Sequence, residues 1–132
     1  MALHGHRKGT WEVPDEEWER VRQQVRDAAE NAARQQQVVS YSVVADQAEY
    51  ITDGHSHALA EMLGEIQREC FESGRALLPA VVTYLHNPND VGTGFFDMAR
   101  HLGYDVGRNK PSRETFWLRQ VRLVFDEYAS KQ

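Results

Sequence analysis

Ser56-His-Ala-Leu-Ala-Glu-Met-Leu-Gly-Glu-Ile-Gln-Arg-Glu-Cys-Phe-Glu-Ser-Gly74, followed by Leu77-Leu-Pro-Ala-Val-Val-Thr-Tyr-Leu85 and His86-Asn-Pro-Asn-Asp-Val-Gly-Thr-Gly94, reads as a helix, a strand and a loop. Leu59, Met62, Leu63, Ile66, Cys70 and Phe71 recur at steps of three and four, so they share one helical face. Ser56 supplies an N-cap hydroxyl, and Gly74 falls where a left-handed residue closes a helix. Gly64 costs helix stability and permits a close neighbour. Glu61, Glu65 and Glu69 form an acidic row on the opposite face. Leu77–Leu85 is apolar on both faces, but Pro79 cannot donate to a ladder, which points to an edge position or an irregular start.

Working outward, Pro14-Asp15-Glu16-Glu17 opens a helix in which Trp18, Val21, Val25, Ala28 and Ala32 keep the same spacing, from about Asp15 to Gln36. Its arginines (Arg20, Arg22, Arg26, Arg34) are interleaved with acids and read as a solvated face. Val38–Tyr41 favours a strand, and Ser42 is expected to cap a short helix over Val43–Tyr50. Asn87-Pro88-Asn89-Asp90 is a turn signal. A helix is expected over Phe95–Leu102, closed by Gly103, then a third strand at Tyr104–Val106, a linker over Gly107–Ser112, and a last helix from about Ser112 to Tyr128. The expected fold is therefore α+β: a mostly helical, winged-helix-like single domain over residues 13–132 with a small sheet, preceded by a flexible arm over residues 1–12. The expected core is Trp18, Val21, Leu59, Leu63, Ile66, Val81, Phe96, Leu102, Val121 and Phe125.

Composition narrows the functional classes. The 132 residues suit one domain, and a hydrophobic share of 41% suffices for a real core. No apolar run approaches the roughly 20 residues that span a bilayer, and no apolar leader is present, so the chain reads as cytoplasmic with no membrane partner. Its single cysteine, Cys70, falls on the apolar face and reads as buried and inert. A net charge of −5 opposes broad capture of nucleic acid but allows a local basic patch.

No Gly-x-Ser-x-Gly or Gly-x-x-x-x-Gly-Lys motif occurs, and the hydroxyls fall mostly at caps and turns, so the residues favour a binding module over an enzyme, with no cofactor. Asp53, His55 and His57 alternate as metal ligands do, but alternating ligands need extended backbone and this string runs into a helix cap. No metal is expected.

Two resemblances bear on function. Tyr41–Ala45, Leu63–Ile66, Gly74–Val82, Gly92–Phe96 and the aromatic helix Phe116–Tyr128 resemble the shared pattern of a family of small uncharacterised proteins from bacteria, phages and mobile elements. Such proteins often carry Asn-Lys after the Val-Val pair, where this chain has Thr83-Tyr84. Tyr41-Ser42-Val43-Val44-Ala45 and the order of elements are similar to the winged-helix domain of DNA alkyltransferases and alkyltransferase-like proteins. The reactive Pro-Cys-His-Arg motif of that group is replaced by Pro79-Ala80-Val81-Val82, so no methyl transfer is implied.

On the winged-helix reading the Ser56–Ser73 helix would face DNA with glutamates, which repel phosphates. The contact set is expected instead at Arg75, Arg108, Lys110 and Arg113, with Asn87 and Asn89 in a wing-like loop. The alternative is protein binding or counter-defence through Glu61, Glu65 and Glu69. The resemblance implies a phage or mobile-element regulator in either case.

Overall fold

The computed structural model describes residues 12–84 and 92–129. The elements run α1 (Trp18–Arg34), β1 (Val39–Ser40), α2 (Tyr41–Asp46), α3 (His57–Glu72), β2 (Val82–Thr83), α4 (Thr93–His101) and α5 (Lys110–Ala129). Short 3-10 turns at Asp15–Glu17 and Leu78–Val81 lead into α1 and β2. The protein is α+β and mostly helical. None of the described helices is long and apolar enough to cross a membrane.

The decisive helix forms where its signals place it. Ser56 Oγ accepts from Leu59 N at 3.1 Å, and Gly74 takes φ +68°. A Cβ on Gly64 would lie 3.4 Å from Met98 Cε, so this glycine does admit a close neighbour, α4. Glu12, assigned to the arm by sequence, is instead held here: its carboxylate accepts from Ser56 Oγ and from Ala58 N. Two side chains thus satisfy first-turn amides that water would otherwise have to serve.

The sheet is smaller than the sequence suggests. Leu78–Val81 is a 3-10 turn containing Pro79, and only Val82–Thr83 extends as strand. It pairs parallel to β1, with Val39 opposite Val82 and Ser40 opposite Thr83. A parallel pair needs a long crossover, and α2 and α3 provide it. Tyr104–Val106 forms no strand; Val106 is a buried apolar plug. The second helix starts earlier than expected because Ser40, not Ser42, caps it through Val43 N at 3.1 Å. It also stops earlier, and Glu49 N is taken by Gln24 Oε1 at 2.9 Å rather than by a helical carbonyl.

One apolar cluster joins all the helices, and Trp18, Leu59, Met62 and Ile66 are its largest fully enclosed members. Each such aliphatic side chain contributes roughly 1.5–3 kcal/mol on burial. Of the ten expected core residues, Leu102 and Phe125 are only half-buried; Phe71, read on the apolar face of α3 but outside that set, is exposed. Three buried polar side chains are paired, which avoids a desolvation cost. Gln67 Nε2 donates to Phe95 O (2.9 Å), Trp117 Nε1 to Ala80 O (2.7 Å), and Leu77 N to Gln120 Oε1 (3.1 Å).

Candidate nucleic-acid interface and the acidic seam

Two members of the acidic row of α3, Glu65 and Glu69, are built into the molecule. Trp18 Nε1 donates to Glu65 Oε1 at 2.9 Å. Arg22 Nη1 lies 2.8 Å from Glu69 Oε2 and 3.4 Å from Glu65 Oε1, and Arg26 Nη2 also pairs with Glu69. Burial opposes the charge on Arg22, but Glu19, Glu69 and Glu65 outweigh it and hold the guanidinium pKa above its ordinary value. The arginines read from sequence as a solvated face are, at Arg22 and Arg26, the counter-charges of a seam between α1 and α3. Both pairs step by four residues, so matching rows meet along two helices.

Arg75 is likewise committed. Its Nε donates to Glu127 Oε1 at 2.7 Å and its Nη2 to Tyr128 OH at 3.1 Å, with the guanidinium 5.5 Å from the Tyr128 ring centre. Glu127 Oε2 also accepts from Ala76 N at 3.0 Å, and Tyr128 OH donates to Glu30 Oε2 at 2.8 Å. The network ties the segment after α3 to α5 and α1. Burial, reinforced by the bond to Glu30, pushes the Tyr128 hydroxyl up to about 12.

The remaining predicted cations come together at the approach to α5. Arg108 and Lys110 are exposed and Arg113 is half-buried. Arg113 Nη1 donates to Arg108 O at 3.3 Å, and Asn109 Oδ1 caps the helix by accepting from Ser112 N at 2.9 Å. Gly107, at φ +86°, makes the preceding bend, where a Cβ would fall 2.3 Å from that of Ser112. Asn87 and Asn89 lie outside the described residues.

Sequence reasoning missed Arg119 and Arg122. Both are exposed on α5, three residues apart, a spacing that the sequence displays. Among the described residues Arg68, Arg108, Lys110, Arg113, Arg119 and Arg122 have no carboxylate partner, whereas the other arginines are ion-paired. Five of those six fall between Asp105 and Arg122, against two acids, Asp105 and Glu114. Two of the five, Lys110 and Arg113, occupy the first turn of α5, where the helix dipole disfavours cations by about 0.3–1 kcal/mol. Stability alone would place acids there.

A groove of about 810 Å³ runs beside α3 and α4, lined among others by Leu63, Phe95 and Met98 and by His57, Glu61 and Arg68. At its edge the Tyr41 and Tyr84 rings lie 5.1 Å apart, and Tyr41 OH accepts from Gly92 N at 2.9 Å. His55 also lines it, but Asp53 Oδ1 is spent on His55 N at 2.7 Å. The described residues contain no group of three side chains placed to hold a metal. Cys70 is buried, and burial raises its thiol pKa.

Comparison with protein-family models, with curated proteins and with solved structures finds no match to this chain.

Proposed function

We propose that the protein is a non-enzymatic nucleic-acid-binding module whose contact surface is the approach to α5 and its exposed side. The observation that carries this reading is the run of cations Arg108, Lys110, Arg113, Arg119 and Arg122 without a carboxylate partner among the described residues, in a chain of net charge −5. Such a patch attracts phosphates and releases their counterions. Arg75 is left out, because its guanidinium is already committed to Glu127 and Tyr128.

A winged-helix-like use of the frame belongs to the same proposal. The order α2, α3, β2 supports it, while the parallel pairing of β1 and β2 differs from a wing hairpin. A place in a phage or mobile element rests on the sequence resemblance alone. The alternative, a protein partner at Glu61, Glu65 and Glu69, has less support, since Arg22 and Arg26 already neutralise Glu65 and Glu69.

Titration of a labelled random-sequence oligonucleotide at low salt tests the proposal. Retardation or rising anisotropy that is lost in Lys110→Ala/Arg113→Ala is expected. Absence of binding at high protein concentration, or binding indifferent to those substitutions, contradicts it.

A further inference from the structure

We infer that the preferred ligand is single-stranded nucleic acid, held by phosphate contacts at the start of α5 and by base stacking on an aromatic step beside it; this rests on the nucleic-acid reading above. The step consists of Phe71, Tyr104 and Phe116. The ring centroids of Phe71 and Tyr104 lie 5.7 Å apart and those of Tyr104 and Phe116 5.6 Å apart, both edge-to-face. Phe116 is buried and Tyr104 half-buried, so the row is anchored in the core at one end. It reaches the surface at the other, where Phe71 is 41% exposed at the end of α3.

A phenylalanine so exposed on a helix forfeits part of the burial that would justify it. Here its neighbours are those a stacked base requires. Arg68 precedes Phe71 by three residues on α3, and Arg113 precedes Phe116 by three on α5, so each end of the row has a cation one helical turn away. Neither arginine has a carboxylate partner among the described residues.

A rigid duplex presents phosphates to such a surface but keeps its bases stacked on one another. A single strand offers both phosphates and free base faces, and cationic tracks interleaved with aromatics bind it with little sequence preference. The route extends further: Arg68 and His101 also line the groove beside α3 and α4, three residues before Phe71 and Tyr104 respectively. Glu72, Asp105 and Glu114 border the same surface, which sets the affinity low and the salt dependence high.

Fluorescence anisotropy with a mixed-sequence strand of about 20 nucleotides, long enough for one such binding site, and with the same sequence as duplex, tests the inference. The single strand is expected to bind more tightly. Phe71→Leu should weaken single-strand binding by about tenfold, the loss of one stacked base, while leaving duplex binding and the melting temperature unchanged. Phe71→Trp should restore it. Duplex binding equal to or tighter than single-strand binding, or a Phe71→Leu variant that binds the single strand normally, overturns the inference and leaves the nucleic-acid reading standing. Binding of neither ligand overturns both.

Discussion

The seam between α1 and α3 and the surface of α5 both carry arginines at helical spacing, yet they differ in what answers the charge. On α1, Arg22 and Arg26 meet Glu65 and Glu69 across 43 residues of sequence. On α5, Arg119 and Arg122 meet no carboxylate among the described residues. The sign of a surface therefore follows from pairing between elements rather than from the composition of one helix. A helix with four glutamates contributes a seam, and a chain that is acidic overall keeps cations between Arg108 and Arg122 with no carboxylate partner among the described residues.

The contrast can be broken at several points. Trp18→Ala removes a fully buried ring together with the donor to Glu65, and should cost about 3–5 kcal/mol in denaturant unfolding. Leu118→Ala on exposed α5 should change stability by no more than about 0.5 kcal/mol. Comparable losses in the two variants would erase the distinction between seam and surface.

Next comes the Tyr128 network. Its hydroxyl pKa is raised in the folded protein to about 12 from an ordinary 10, so the folded state holds the proton more tightly. The resulting stability is complete below pH 10 and is lost as pH rises through about 12. Tyr128→Phe should flatten this alkaline fall in a plot of melting temperature against pH. A fall of the same steepness would place its origin elsewhere.

Arg26→Ala, at a pair that is partly open to solvent, should cost about 1 kcal/mol or less, and less still in high salt. Arg122→Ala should leave stability unchanged, and a thermal melt of each variant at two salt concentrations separates them. The smallest effect is expected for Glu65→Gln, which should leave nucleic-acid binding unchanged or slightly stronger; abolished binding would make the acidic row the working surface.

Much of the architecture was legible in local signals. Ser56, Gly74 and the spacing of Leu59, Leu63 and Ile66 are enough to place α3, because caps and apolar periodicity act within a few residues. The strand after it was over-read. Apolar content continues through Leu77–Val82, but Pro79 turns the backbone into a 3-10 segment, and only the possibility of an irregular start was visible. The half-burial of Leu102 and Phe125 depends on what covers a helix end, which periodicity does not encode.

The candidate site was legible in part. Arg108, Lys110 and Arg113 are close in sequence and remain close in space. Arg75 could not be excluded by inspection, since its partners Glu127 and Tyr128 lie more than fifty residues away. The matching i, i+4 rows Arg22/Arg26 and Glu65/Glu69 were present in the sequence, and complementary pitch was the signal that could have joined them.

The most direct test of the cationic surface is the slope of log affinity against log salt for a labelled oligonucleotide, compared between the native protein and Lys110→Ala. Removal of one phosphate contact should lower the magnitude of the slope by about one unit and weaken binding uniformly across sequences. An unchanged slope and affinity in Lys110→Ala, with binding lost in Glu65→Gln, would contradict the assignment of the working surface to α5.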